Sequence, residues 1–224
     1  MKPRGLITAS FITLGIFATY NAFADGQSKI DDPKKAAKDI FWDELYPNGG
    51  KSFFCEQPFE GKTRRIVAGH IYNTQWMLDH YDCGTKSRCR KSNTDYKYAA
   101  SDLHNLYPVS PRVELNRRNS KYSELPNRSD QFPNLNCSYK SAFQSVEPAD
   151  EIKGNIARVI FYMNKAYNLP ILGSSQMLLE WNEQDPVDQA EIDRNNLVEK
   201  IQGTRNRFID NPHAIKDLDI TITR

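Results

Sequence analysis

Export and an even number of cysteines constrain this chain first. Lys2 and Arg4 open it, an apolar run follows from about Leu6 to Ala18, and Ala22-Phe23-Ala24 is a small-x-small cleavage signal before Asp25. Residues 1–24 are read as a signal peptide; an uncleaved N-terminal anchor is the competing reading. The run is short for a bilayer span, and no other stretch is long and apolar enough to cross one. The expectation is a soluble protein, periplasmic or secreted, with no membrane contact after cleavage. In that compartment the four cysteines, Cys55, Cys83, Cys89 and Cys137, favour two disulfides. Three pairings are possible. Cys83 and Cys89 are close in sequence and would pin a loop, which would leave Cys55 with Cys137 as a long closure. Zinc is the alternative, although the spacings lack a paired C-x₂-C pattern.

A length of 224 residues suits one domain, or one domain with a helical extension, and a hydrophobic content of 39% permits an ordinary core. Cleavage after Ala24 removes two basic residues and no acidic one, so 30 Lys and Arg fall to 28, against 28 Asp and Glu. A neutral total argues against a general nucleic-acid coat. The distribution argues otherwise: thirteen basic and six acidic residues lie between Gly61 and Arg128, and three against nine between Glu147 and Asp193. A basic half beside an acidic half suggests one face for phosphates, with an ordinary mixed surface as the plain alternative.

Asp31-Asp32 before Pro33 reads as the start of a short helix over Lys34–Lys38, packed down by Phe41-Trp42 and Leu45-Tyr46. Ser52–Cys55 reads as a short strand, and Arg64–Tyr72 as a strand ending near His70. Asn73–Leu78 begins a helix or an irregular turn, Asp79–Asn93 is loop, and Thr94–Leu106 is helical by its spacings of three and four, stopped by Pro108 and Pro111. Arg112–Leu115 reads as a strand and 123–138 as loop. Ile152, Ile156, Val159, Ile160, Met163 and Tyr167 share one face of a core helix. A helix over Gln176–Glu183 follows, capped by Ser174 or Ser175, and another runs from Pro186 to Gln202 and ends at Gly203. Residues 214–224 look weakly ordered, with an edge strand available at 220–223.

The chemistry concentrates between Ile66 and Tyr122. Ile66-Val67-Ala68-Gly69-His70 delivers one histidine, and Val113-Glu114-Leu115-Asn116-Arg117-Arg118-Asn119 brings an asparagine followed by two arginines. A neutral imidazole accepts a proton from water near pH 7. An amide oxygen is a fair ligand for a hard cation, and adjacent guanidinium groups suit phosphate. These are the parts for metal-assisted attack of water on a phosphodiester.

The same blocks carry a resemblance. Gly69-His70, Ser101–Pro108, Val113–Arg117, Gly154–Arg158 with Phe161–Met163, Trp181-Asn182 and Gln202–Asp210 resemble, in order, the bacterial endonuclease I family of His-Me finger (ββα-metal) nucleases. The resemblance implies an α+β fold: a ββα finger, with its helix starting at Asn116, and a largely helical C-terminal half, tied by disulfides. Residues 25–212 would form this domain, after the signal peptide and before a tail at 213–224. It implies an exported, sequence-non-specific endonuclease that hydrolyses DNA, with RNA as a second substrate, to 5′-phosphate ends, and that acts as a monomer with Mg²⁺ or another divalent cation. His70 would be the general base and Asn116 the metal ligand, with Arg118 also at the reaction centre. Asp102, His104, Asn105 and Glu114 would support them, and Lys86, Arg88, Arg117, Arg205 and Arg207 would contact nucleic acid. The strand carrying the first family cysteine resembles Ser52–Cys55, which supports Cys55–Cys137 and so Cys83–Cys89.

Two departures stand out. Gly69 replaces a metal-binding glutamate before the histidine, and Ala100 replaces a second acid. Ala68-Gly69-His70 is similar instead to the Arg-Gly-His of a distant secreted branch, which holds its metal mainly through one asparagine and water. Each residue also has a plainer reading: a structural histidine, a capping asparagine, a locally satisfied polar pair, solvated arginines. A catalytically weakened member that binds nucleic acid or protein is the alternative function.

Overall fold

The computed structural model describes residues 26–135 and 137–218; the expected signal peptide and the edge strand at 220–223 lie outside these residues. Helix α1, Pro33–Lys35, starts where Asp32 accepts hydrogen bonds from the Lys34 and Lys35 amides and Pro33 pre-sets the backbone. It runs on as a π-helix, Ala36–Leu45, well past the short helix expected over 34–38, because Phe41, Trp42 and Leu45 bury their side chains against the domain. Strands β1, Gly50–Lys51, and β2, Pro58–Phe59, pair antiparallel. Between them Ser52–Cys55 is a turn rather than the expected strand. The Ser52 hydroxyl accepts from the Gln57 amide, and the Phe53 amide donates to the Pro108 carbonyl at 2.7 Å.

Strand β3, Val67–His70, leads through the Asn73 cap into α2, Thr74–Tyr81. The expected loop over 79–93 instead holds the end of α2 and a further helix, α3, Lys86–Ser92, capped by Thr85. Its polar sequence has no amphipathic stripe, and buried Cys89, bonded to Cys83, anchors it. Helix α4, Thr94–Ser101, ends one residue before Asp102, whose extended backbone and side chain start a 3₁₀ turn over Leu103–Asn105. Strand β4, Leu106–Val109, therefore takes residues expected to be helix and turn. It pairs antiparallel with β3, with Val67 opposite Val109 and His70 opposite Leu106.

Arg112–Leu115, expected as a strand, belongs to helix α5, Pro111–Arg117. Pro111 occupies the first turn, where its missing amide costs nothing, and Val113 is buried. Asn116 thus lies in the last turn of this helix rather than at the start of one. The order β3–β4–α5 is a ββα unit.

Strands β5, Lys121–Tyr122, β6, Lys140–Ala142, and β7, Ser145–Glu147, form a sheet in the order β5-β7-β6, with β5 parallel to β7. Helix α6, Lys153–Tyr167, is buried from Ile156 through Met163 and forms the centre of the core. Helix α7, Ser175–Gln184, capped by Ser174, packs on it. Helix α8, Gln189–Gln202, starts at the Asp188 cap, three residues beyond Pro186, and ends at Gly203, whose φ of 88° favours glycine. Helix α9, Arg207–Asp210, is followed by a 3₁₀ turn over Pro212–Asp217. Ala214 and Ile215 are buried there, so the packed domain extends beyond residue 212 into the expected tail. The disulfides are Cys55–Cys137 and Cys83–Cys89, as expected.

Candidate active site

His70 ends β3 half-buried, with its Nε2 2.9 Å from the Ala100 carbonyl. A carbonyl only accepts, so Nε2 carries the proton and Nδ1 keeps a lone pair. Burial pulls the imidazole from its ordinary value down to about 4, against the Ala100 bond and the Glu114 charge, which raise it, and with Lys86 and Arg117, which lower it further. His70 is therefore a neutral proton acceptor at pH 7 in a fixed tautomer.

The backbone that carries this ring is clamped. Arg117, fully buried, donates from Nη2 to the His70 carbonyl at 2.6 Å and to Glu114 Oε2 at 2.7 Å. Its Nη1 reaches the Ile71 carbonyl and the Tyr122 hydroxyl, each at 3.3 Å. This corrects the expectation that Arg117 contacts nucleic acid: no phosphate reaches it, and it fastens α5 to the end of β3. Asn105 holds the next residue, accepting from the Tyr72 amide at 2.6 Å and donating to the Tyr72 carbonyl at 3.0 Å.

Asn116 lies half-buried in the last turn of α5, and its Oδ1 is buried with no hydrogen-bond partner. Other buried side-chain atoms share this state, among them the Tyr81, Ser101 and Tyr139 hydroxyls, so it leaves the oxygen available to a ligand without requiring one. It fits a hard divalent cation as a single neutral donor. Among the described residues no group of three His, Cys, Asp or Glu is placed to hold a metal. The donor set is therefore sparse: the Asn116 oxygen, with the rest of a cation's shell left to water and phosphate.

Of the expected nucleic-acid contacts, Lys86 opens α3, is exposed, and has its charge felt at His70; Arg88, two residues on, is exposed as well. Arg118 is exposed just after α5, at φ 41° and ψ −116°, with its Nε on the Leu115 carbonyl. Its own carbonyl accepts from the Asn73 side chain, and Trp76 Nε1 donates to the Asn119 carbonyl at 3.0 Å, so α2 fixes the chain as it leaves the finger. Arg205 is engaged by Asp210 and Glu199, and Arg207 lies against the Phe208 ring.

Asp102 and His104 hold the core together rather than touching His70. Asp102 accepts from the Tyr162 and Tyr167 hydroxyls, the Gln202 side chain and the His104 amide. His104 packs its ring on Tyr162 and bonds the Thr204 carbonyl, and burial lowers its pKa to about 4. The contributions of Ala100 and Asn73 were not visible in the sequence. Ala100 acts through its carbonyl, which no residue type announces, and Asn73 reads only as a helix cap.

A histidine on the first strand and an asparagine on the helix of a ββα unit define the ββα-finger class. The Endonuclease I family model matches residues 59–213, and the chain belongs to the endonuclease I family. It is 35% identical over 155 residues to Endonuclease-1 of Buchnera aphidicola subsp. Acyrthosiphon pisum (strain APS), covering 67% of this chain and 61% of that protein. It is 31% identical over 176 residues to an extracellular ribonuclease of Bacillus subtilis (strain 168), covering 68% and 56%. A periplasmic deoxyribonuclease of Aeromonas hydrophila is 31% identical over 155 residues, covering 66% and 65%. The matched region thus spans less than two thirds of the length of each of these relatives.

Proposed function

We propose that this protein is an exported, divalent-metal-dependent endonuclease that hydrolyses phosphodiester bonds of DNA, and of RNA as a second substrate. Relatives named as periplasmic or extracellular nucleases of both kinds support export and both substrates. Among the described residues no helix is long and apolar enough to cross a membrane. The observation that carries the reading is His70: neutral, tautomer-fixed by Ala100, and placed on the same ββα unit as the orphaned Asn116 oxygen.

His70 Nδ1 accepts a proton from water, and that water adds to phosphorus in line with the departing 3′ oxygen, leaving a 5′-phosphate. The Ala100 carbonyl stabilises the imidazolium formed in this step. Lys86 and Arg118 hold the flanking phosphates. Asn116 Oδ1 would hold a divalent cation, Mg²⁺ in the first instance, and that ion would supply Lewis acidity for the charge that develops on the phosphate and the leaving oxygen. Contacts of this kind go to the backbone, so binding weakens as salt rises.

The test is plasmid cleavage by the oxidised protein with Mg²⁺ and with a chelator, beside His70→Ala. Cleavage with metal only, and a loss of at least about 10²-fold in the variant, is the expected outcome. Full activity of His70→Ala refutes the assignment. Gly69 favours one other reading, a weakened member that binds nucleic acid without cutting it; DNA binding with no cleavage under either condition would select it.

A further inference from the structure

We propose that Glu114 supplies, from α5, the carboxylate for the metal site that position 69 of β3 does not provide. The inference rests on the metal-dependent nuclease reading and concerns its least complete part. A β carbon built on Gly69 would lie 3.1 Å from Glu114 Oε2 and 2.4 Å from Val109 Cγ2. Glu114 therefore occupies the volume into which a side chain at 69 would grow, and Val109 closes the rest. A glutamate at 69 does not fit this packing, whereas a carboxylate arriving from the helix does.

The carboxylate is only half used. Oε2 bonds Arg117, while among the described residues Oε1 has no partner, and the side chain is 31% exposed, so water and ions reach it. Asn116 follows two residues later, about 3 Å along the helix axis, and its Oδ1 is the unpartnered buried oxygen. Residues two apart do not share a helix face, so Glu114 alone brings an anionic oxygen to the gap between β3 and α5, and Asn116 could join the same ion only through bridging water or phosphate. Arg117 already balances much of the Glu114 charge, which makes the site weak alone and dependent on phosphate oxygens for completion. The competing role for Glu114 is solely that of counter-ion to Arg117, and the two roles separate experimentally.

Mn²⁺ alone is the probe, its binding followed by loss of the free-ion paramagnetic resonance signal in the oxidised full chain. Glu114→Gln keeps an acceptor for Arg117 but removes the charge that faces a buried guanidinium, so its melting temperature without metal should fall; measured below that temperature, with folding confirmed, Mn²⁺ affinity should fall at least about 10-fold. Adding Gly69→Glu with Val109→Ala to Glu114→Gln moves a carboxylate back to the strand and should recover that affinity. Unchanged Mn²⁺ affinity in Glu114→Gln, or no binding by wild type at millimolar Mn²⁺, overturns the inference. Metal-dependent cleavage with unchanged Mn²⁺ affinity in Glu114→Gln would sink it alone. Carboxylate-dependent Mn²⁺ binding without cleavage would instead sink the nuclease reading.

Discussion

His70 and Asn116 are poised in opposite ways, one satisfied and one not, and each sets a prediction. A base acts only when unprotonated, and burial places the free-protein pKa of His70 near 4 instead of 6.5. The acid limb of kcat/KM should then fall below about pH 5, with a flat profile from pH 6 to 8. A limb centred at 6.5 in a pH–rate series would show that the ring is solvated and the Ala100 bond open. Asn116 bears an unpartnered oxygen, which costs on the order of 1–3 kcal/mol. Asn116→Ala removes it and adds a better helix former. The variant should therefore unfold at an equal or higher urea midpoint while losing cleavage, whereas a capping role predicts a lower midpoint. Both residues could be placed in the sequence because their types and order resemble a known pattern. Arg117 could not: whether a guanidinium in an Arg-Arg pair meets solvent or sits under the finger is decided by which way α5 turns, and the pair reads the same either way.

The finger holds its shape through contacts between elements. Arg117 is the chief one, with bonds from α5 to the carbonyls of His70 and Ile71 and an ion pair to Glu114. Arg117→Met keeps much of the volume but strands the Glu114 carboxylate and two carbonyls. It should cost about 3–5 kcal/mol, read as a lower urea midpoint at unchanged slope. Cleavage at 25 °C should fall as well, because the His70 backbone is released. The elements themselves were unevenly legible. The α6 helix could be read from its stripe of Ile156, Val159, Ile160 and Met163, continued by Ile152 in the turn before it, since a buried face writes its period into the sequence. Helix α3 could not, because a disulfide and the Thr85 cap hold it rather than an apolar face. At 112–115 the short Val-Glu-Leu alternation imitates a strand, and only Pro111 at the first turn and burial of Val113 decide for α5. Asp102 ended α4 early for a similar reason: its carboxylate gathers Tyr162, Tyr167 and Gln202, partners 60 to 100 residues away.

Across the whole molecule the two disulfides do different work. Cys55–Cys137 closes a separation of 82 residues and ties the turn before the finger to the segment beyond it. Cys83–Cys89 closes only 6 and encircles Lys86, the cation whose charge reaches His70. In the chain-entropy account a closure of that longer size restricts the unfolded chain by roughly 4–5 kcal/mol, and the shorter by roughly 2. The double variants Cys55→Ala/Cys137→Ala and Cys83→Ala/Cys89→Ala should separate stability from function. The first should lower the unfolding free energy by the larger amount and keep its kcat at temperatures where it remains folded. The second should lose less stability but raise KM for DNA, because the start of α3 no longer holds Lys86 where its charge is felt at His70. Urea unfolding and steady-state cleavage on both variants check this. Equal stability losses would mean that the unfolded chain is already compact around residues 55 and 137. An unchanged KM in the second variant would remove Lys86 from the nucleic-acid contacts and leave Arg118 as the candidate cation at the finger.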